Sequence, residues 1–274
     1  MQTLRRHAAH AILAAALAVA GCNTPDSGTA TKEFVNGCAD SDLNSKSVLY
    51  FGPSNQIGPG SVWSRLGNSG GYQPQWRMQD LGIDMTVVDQ GKTFACDLSQ
   101  SSKLSANAGL SVISSVANAS AEAKADFSRG KVVKVTSRGA AWDTIVAGPY
   151  NARLKAISDA AIRSDIAAPN RIIMRRALRL DGYRVTMDFD TAIKPEIKAK
   201  YSGKILGRET VGDVGANLSA QWTSDDKLEL TAADGVYVAG EFAQLVNGEW
   251  VSTKGAGGIE DLGDRWVRPF APRR

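Results

Sequence analysis

The chain has 274 residues, 43% of them hydrophobic, and a formal net charge of +4. This length suffices for one large domain or two small ones, and so small a net charge indicates neither nucleic acid nor a strongly anionic partner. Its two histidines, His7 and His10, lie near the amino terminus. The rest of the chain therefore lacks the residue needed for Ser-His-Asp hydrolysis, histidine-ligated zinc or haem with a histidine axial ligand, and we predict no metal site and no cofactor.

The first 22 residues have the pattern of an export signal. Arg5 and Arg6 precede an apolar run from Ala11 to Ala20, which is half of the roughly 20 residues needed to span a bilayer. Val19-Ala20-Gly21-Cys22 resembles the lipobox of bacterial lipoproteins. The resemblance implies that residues 1–21 are a cleaved signal peptide and that Cys22 carries lipid, which anchors the protein stably to a membrane of the bacterial envelope. Asn23, in place of the aspartate that marks inner-membrane retention, favours the outer membrane.

The cysteine content predicts one disulfide. If Cys22 carries lipid, only Cys38 and Cys96 remain, and two cysteines in an oxidising envelope most simply pair with each other. Their spacing is not the Cys-x-x-Cys of redox-active pairs. We therefore expect a structural bridge.

The chain after Cys22 divides into three parts. Residues 22–33 are rich in small and polar residues and are predicted to be a flexible tether. Residues 34–254 are predicted to form a β-rich globular body, and residues 255–274 an irregular tail. In the body, strands are predicted at Val48–Phe51, at the alternating residues Ile83, Met85 and Val87, and at Thr93–Cys96.

A long alternating segment follows, from Leu104 to Phe127. Apolar or small residues occupy every second position, with a change of phase near Ile113, which predicts strands with a bulge. Alanine favours helices, however, and Leu110, Ile113 and Ala117 also fit one helical face. Both interpretations remain open at this point.

Two segments of the body resemble each other. Ala121–Val135 and Ala216–Leu230 each read as an alternating strand ending in an aromatic residue, a polar turn and a second alternating strand. Val133 then corresponds to Leu228. Either the chain contains a duplicated β-hairpin, or two unrelated antiparallel hairpins look alike.

The remaining elements include the best helix candidate and two more hairpins. A helix is predicted over Asn151–Ile166, with Asn151 as its cap and Pro169 beyond its end. The two hairpins are Arg171–Leu180, Asp181-Gly182 and Tyr183–Phe189, and then Val236–Val246, Asn247-Gly248 and Glu249–Ser252. Together these elements predict an α+β protein, predominantly antiparallel β, with at least one helix.

Five arginines are concentrated around the first of these hairpins. They are Arg171, Arg175, Arg176, Arg179 and Arg184. Such a group is able to contact an anionic surface, such as lipid headgroups, lipopolysaccharide phosphates or glycan strands. The alternative is an ordinary solvated face.

Ser-x-x-Lys occurs twice, at Ser128–Lys131 and Ser224–Lys227. Penicillin-binding enzymes use this spacing at the start of a helix, which would suit a hydrolase without histidine. Both copies fall at predicted turns, so no catalytic residue is assigned.

Three function hypotheses follow. The first is a non-enzymatic, lipid-anchored envelope protein that binds another envelope protein or polymer. The second is a membrane-perturbing protein in which two amphipathic hairpins insert; the order of hairpins, helix and hairpins resembles that of gasdermin-type pore formers, although no motif matches. The third is the hydrolase without histidine.

Overall fold

The computed structural model describes residues 32, 35, 38, 43, 48–66, 71–94, 103–104, 130–189, 192–200, 202–205, 218–232, 235–246 and 249–252. Its strands are β1 (Val48–Ser54), β2 (Val62–Leu66), β3 (Gly71–Trp76), β4 (Val88–Asp89), β5 (Lys103–Leu104), β6 (Gly130–Thr136), β7 (Gly139–Ile145), β8 (Arg171–Asp181), β9 (Arg184–Phe189), β10 (Gly203–Ile205), β11 (Leu218–Ser224), β12 (Lys227–Ala232), β13 (Val236–Val246) and β14 (Glu249–Ser252). Its helices are α1 (Ala147–Ala156), α2 (Ala160–Ile166) and α3 (Pro195–Lys200).

The strands form two antiparallel sheets, so the predicted α+β class with mainly antiparallel pairing is confirmed. The larger sheet has the order β1-β13-β8-β2-β3, with β14 beside β13, β7 beside β8 and β4 beside β7. The smaller sheet has the order β10-β11-β12-β9-β6-β5. We call them the eight-stranded and the six-stranded sheet.

The turn predicted at Asp181-Gly182 is confirmed, but the hairpin predicted around it is wrong. The turn carries the chain from one sheet to the other: β8 pairs with β13, β2 and β7, and β9 pairs with β12 and β6. Gly182 has φ +62°, a left-handed conformation that glycine adopts without a steric penalty. Tyr183, Val185, Met187 and Phe189 are all buried, as their alternation predicts. The hairpin predicted near the end of the chain does form, with Val246 of β13 opposite Glu249 of β14.

The single helix predicted over Asn151–Ile166 is wrong in its boundaries. The chain forms α1 and α2 with a break between them, and α1 begins four residues earlier than predicted. The break arises because the Asp159 carboxylate accepts hydrogen bonds from the backbone N–H groups of Ala161, at 2.7 Å, and Ile162, at 3.2 Å. This is a helix cap, and it starts a new helix.

The strand predicted at Ile83, Met85 and Val87 is also wrong. Met85–Val87 is a turn of 3₁₀ helix, and Asp84 caps it by accepting a 3.0 Å hydrogen bond from the N–H of Thr86. The local cap thus overrides the alternation. Of the strand predicted at Thr93–Cys96, the described part shows an isolated antiparallel bridge between Phe94 and Ala140.

The two similar segments differ in their pairing. β11 and β12 form the predicted hairpin, and its turn contains the second Ser-x-x-Lys copy. In contrast, the two neighbours of β6 are β5 and β9, because Val133 lies opposite Leu104 on one side and Met187 on the other. Leu228 lies opposite Met187 as well. The corresponding strands β6 and β12 therefore flank β9 at equivalent positions, while residues 121–129 lie outside the described residues.

Three groups of buried side chains form the core. The largest lies where the two sheets meet, with Val185, Met187, Leu228 and Leu230 from the six-stranded sheet and Leu178 from the eight-stranded one. A second group is aromatic and includes Phe51, Trp63, Tyr72 and Phe242. The third packs α1 and α2 against the eight-stranded sheet, with Tyr150, Leu154 and Ile166 among its members.

Several predictions lie partly or wholly outside the described residues. These are the signal peptide 1–21, lipidated Cys22, most of the tether 22–33, Cys96 and the tail 255–274. Cys38 is buried and disulfide-bonded, and its partner is outside the described residues, so the pairing with Cys96 stays a prediction. Where the chain is described, it contains no helix long and apolar enough to cross a bilayer.

Candidate functional site

The predicted group of arginines is divided among several carboxylates. Arg171 Nη2 lies 2.6 Å from Asp165 Oδ1. Arg179 Nε lies 2.9 Å from Asp143 Oδ2, and its Nη1 lies 2.5 Å from Asp181 Oδ1. These two arginines of β8 therefore hold the fold together and are not a free cationic surface.

Arg176 has a still more enclosed environment. Its Nε and Nη2 donate to the two carboxylate oxygens of Glu241 at 2.8 and 3.0 Å. Its guanidinium carbon lies 4.4 Å from the centre of the Trp142 ring. A bidentate ion pair with an aromatic ring on one face is geometrically specific, so Arg176 serves to align β13, β8 and β7.

A polar cluster surrounds the buried carboxylate of Asp143. Besides Arg179, the Tyr237 hydroxyl donates to it at 2.8 Å and the Gly91 N–H at 3.1 Å. Burial raises the pKa of the Tyr237 hydroxyl, and the charge of Asp143 raises it further. The hydroxyl thus stays protonated and continues to donate to Asp143.

Arg175 and Arg184 are the exposed members of the predicted group. Arg184 belongs to β9, and its Nε lies 3.5 Å from Glu229 Oε1, with 55% of its side chain exposed. So long and solvated a pair contributes little to stability. Contact of these two side chains with an anionic surface stays a prediction.

The connections between the sheets meet at one corner. Three neighbouring strands of the six-stranded sheet, β6, β9 and β12, are joined to three neighbouring strands of the eight-stranded sheet, β7, β8 and β13. We call the described residues Ser137, Arg138, Gly182 and Tyr183 the corner. The N–H of Arg138 donates to the carbonyl of Asp181 at 2.7 Å, and the Ser137 hydroxyl donates to the same carbonyl at 2.7 Å. These two bonds hold the β6–β7 connection against the β8–β9 connection.

A pocket of about 460 Å³ opens beside the corner. Its lining includes Thr136, Ser137, Arg138, Gly182, Arg184 and Thr231. Thr136 and Thr231 lie directly opposite Arg184 on the two strands that flank β9, and directly opposite residues of antiparallel strands have Cβ atoms about 5 Å apart. Two hydroxyls and one guanidinium therefore form a row across the sheet at the pocket.

Arg138 is the second cation of this corner pocket. Its side chain is exposed, and the described residues offer it no hydrogen-bond acceptor and no carboxylate within 4.0 Å. It lies over Gly182, since a Cβ built on that glycine would stand 2.3 Å from Arg138 Nε. Arg138 was not predicted as a site residue from the sequence. Its proximity to the Asp181-Gly182 turn follows only from the pairing of β6 with β9.

The six-stranded sheet is amphipathic. Among its described side chains, those of the inner face are apolar and mostly buried, and those of the outer face are polar or charged. On the outer face lie Lys134, Thr136, Arg184, Thr186, Ser219, Gln221, Glu229 and Thr231. The edge strands β5 and β10 are only two and three residues long.

The Ser-x-x-Lys copy at Ser224–Lys227 has no catalytic geometry. The Ser224 hydroxyl donates to Asp226 Oδ1 at 2.6 Å, while Lys227 lies 3.2 Å from Asp188 Oδ1. The residues belong to a strand end and a turn, not to the start of a helix. Ser128 lies outside the described residues. In the described part of the chain, no three His, Cys, Asp or Glu side chains come together as a metal site would require.

Comparison with known proteins finds similarity only at the level of solved structures. No protein-family model and no curated protein sequence matches the chain. Among solved structures, the chain is similar to that of a bacterial gasdermin from Bradyrhizobium tropiciagri, with 15% sequence identity and a TM-score of 0.45 over 86% of this chain and 96% of that chain. We base no functional conclusion on a similarity of this size.

Proposed function

We propose that this protein perturbs lipid bilayers by inserting amphipathic β-hairpins that extend from the edges of the six-stranded sheet. The observation that carries the proposal is the pairing of β5 with β6. Leu104 lies opposite Val133 in an antiparallel pair, so the segment between Leu104 and Gly130 connects two neighbouring strands. That segment has the alternating sequence described above.

The length of this segment suits two crossings. A strand needs about 9–11 residues to cross a bilayer. Residues 105–129, together with the ends of β5 and β6, are numerous enough for two such strands and a turn. Strict alternation is what a strand needs when lipid lies on one side and water on the other.

The opposite edge of the six-stranded sheet has a related arrangement. β10 and β11 are antiparallel neighbours, with Ile205 opposite Leu218, and residues 206–217 connect them. The amphipathic β11–β12 hairpin continues from there into the sheet. Both edges of one sheet thus lead into connections between paired strands.

The predicted lipid on Cys22 supports the proposal. Acyl chains would hold the body next to a membrane, and tethering raises the effective concentration of the hairpins at that surface. Lipid attachment itself is tested by mass spectrometry of the amino-terminal peptide.

Dye release from liposomes tests bilayer perturbation directly. Full-length acylated protein should release a trapped dye. Leu110→Arg places a charge in the apolar phase of the alternation, where an arginine facing lipid costs about 2–4 kcal/mol at mid-bilayer, and release should fall strongly. Ser111→Arg adds the same charge in the polar phase and is the matched control. Equal release by the two variants, or none by the unchanged protein, would refute the proposal.

Binding to another envelope protein or polymer is the second candidate. The observation that favours it is the exposure of two large hydrophobic side chains on hydrogen-bonded segments, Met85 at 47% and Val146 at 43%. Cross-linking of the native acylated protein in membranes tests it. A partner that is captured by the unchanged protein and lost with Met85→Glu would support this candidate, whereas equal capture by both would argue against this surface.

A further inference from the structure

We propose that the corner pocket binds a phosphate-type oxyanion through the guanidinium groups of Arg138 and Arg184. The proposal is independent of hairpin insertion, since it concerns described residues at the junction of the two sheets. It also narrows the earlier prediction of a general anionic-surface contact to one pocket.

The two arginines of the corner pocket have little compensating negative charge. Arg138 is exposed, and the described part of the chain provides no carboxylate partner for it. Arg184 has only the long contact with Glu229, at 3.5 Å. Two cations in one pocket repel each other, and a bound anion removes that repulsion.

The second argument is the supply of hydrogen-bond donors. The hydroxyls of Thr136 and Thr231 flank Arg184 in the row across the sheet. A tetrahedral oxyanion offers acceptors in several directions, and charge-assisted bonds from guanidinium groups are the strong ones. A planar carboxylate would use fewer of these donors.

The third argument is the support beneath the pocket. Ser137 and the backbone of Arg138 are bonded to the carbonyl of Asp181, and the N–H of Ala232 donates to the carbonyl of Tyr183 at 3.0 Å. The β6–β7 connection and the end of β12 are thereby both held to the turn at Gly182. The backbone beneath the pocket is thus fixed before an anion binds, which lowers the entropic cost of binding.

Glu229 makes the proposal sharply testable, because it competes with the anion for Arg184. Removal of an arginine should weaken binding, and removal of this carboxylate should strengthen it. Titration of the full-length protein in detergent with inorganic phosphate, followed by calorimetry, measures both. We expect Arg138→Gln to weaken phosphate binding about tenfold, as the loss of one charge-assisted contact implies, and Glu229→Gln to tighten it about threefold.

Lys155→Gln is the control for net charge. Lys155 is exposed on α1, which follows the end of β7 opposite to the corner, and it does not line the pocket. Its loss changes the charge by the same amount as Arg138→Gln. Affinity for phosphate should stay within about twofold of the unchanged protein. Equal weakening by Lys155→Gln and Arg138→Gln would overturn the proposal, as would absence of phosphate binding by the unchanged protein.

Vesicles distinguish a free anion from a lipid headgroup. Flotation with phosphatidylglycerol vesicles is compared with phosphatidylcholine vesicles for the unchanged protein, Arg138→Gln and Lys155→Gln. If Arg138→Gln alone reduces binding to phosphatidylglycerol, the pocket accepts a headgroup phosphate. If Arg138→Gln reduces binding of inorganic phosphate only, the ligand is a soluble phosphate. Both results support the pocket, and no effect of Arg138→Gln in either experiment refutes it.

Discussion

The Tyr237 hydroxyl donates a 2.8 Å hydrogen bond to Oδ2 of Asp143, a carboxylate that is completely buried. The same oxygen accepts from Arg179 Nε at 2.9 Å. One buried charge thus links β7, β8 and β13. Removal of one partner of such a pair leaves an uncompensated charge, whereas exposed pairs are nearly neutral to stability.

We therefore expect Asp143→Ala to lower the free energy of unfolding by about 3–5 kcal/mol. Tyr237→Phe, which removes a single hydrogen bond, should cost about 1–2 kcal/mol. Urea unfolding measures both. Asp188→Ala breaks a solvated pair with Lys227 and should cost less than about 1 kcal/mol. An Asp143→Ala variant as stable as Asp188→Ala would contradict the assignment.

Stability should fall at alkaline pH. Burial raises the pKa values of Tyr150, Tyr183 and Tyr237 above their ordinary value of 10.0. Above about pH 10 the unfolded chain therefore loses phenolic protons that the folded chain retains. The stabilisation is fully present below pH 10 and is lost as the pH rises beyond it. Urea midpoints at about pH 9 and 11 measure the loss, and the Tyr183→Phe/Tyr237→Phe variant should show a smaller difference. An unchanged difference would contradict this origin.

The pair of Arg176 with Glu241 allows a complementary test. Glu241 is 7% exposed, so Arg176→Met leaves a nearly buried carboxylate without its bidentate partner. The variant should lose about 3 kcal/mol of stability. The double variant Arg176→Met/Glu241→Leu should recover most of it, because neither charge then remains. If the double variant is less stable than Arg176→Met, the ion pair has a role beyond charge compensation.

Gly182 and Gly82 form a matched pair of positions. Both have positive φ, +62° and +68°, so alanine at either should cost about 1–2 kcal/mol in backbone strain. A Cβ at Gly82 meets nothing within 4 Å, whereas at Gly182 it meets Arg138. Both variants should thus be similarly destabilised in urea, but Gly182→Ala alone should weaken phosphate binding. Equal phosphate affinity of the Gly182→Ala and Gly82→Ala variants would show that phosphate binding does not depend on the position of the Arg138 side chain.

The disulfide prediction is tested by peptide mapping without reduction. A linked peptide containing Cys38 and Cys96 is expected, and reduction should lower stability by about 4 kcal/mol in the chain-entropy model. Recovery of Cys96 as a free thiol from the unreduced protein would contradict the pairing. Cys22 should not be part of the disulfide-linked peptide, since it is predicted to carry lipid.

Local signals allowed much of the fold to be predicted. Asp181-Gly182 fixes a turn by the conformation of glycine, and the alternation of Tyr183 to Phe189 follows from one buried face. The errors at residues 83–87 and 151–166 were also local in origin, whereas the wrong pairing of β8 with β9 was not, because it depends on which sheet each strand joins. At Asp84 and Asp159 a side-chain cap determines the backbone conformation. The spacing of apolar residues, whether every two or every 3.6 positions, does not show where such a cap lies.

The candidate site was less predictable because it depends on strand register. Arg179 and Asp143 are 36 residues apart, and Arg176 and Glu241 are 65 apart. Only the pairing of β7, β8 and β13 brings them together. Likewise, Arg138 lies between β6 and β7 whereas Arg184 begins β9. The concentration of arginines around Asp181-Gly182 therefore predicted a single surface where the structure has three interior pairs and one pocket.

The three neighbouring strand connections at the corner have a consequence for cooperativity. Because β6, β9 and β12 are consecutive in the chain with β7, β8 and β13, respectively, neither sheet is an autonomous folding unit. Loss of order in one sheet removes the chain neighbours of the other and exposes their shared core. We therefore expect the sheets to melt as one unit, so that any departure of an edge hairpin has to occur while the central strands and the corner stay intact.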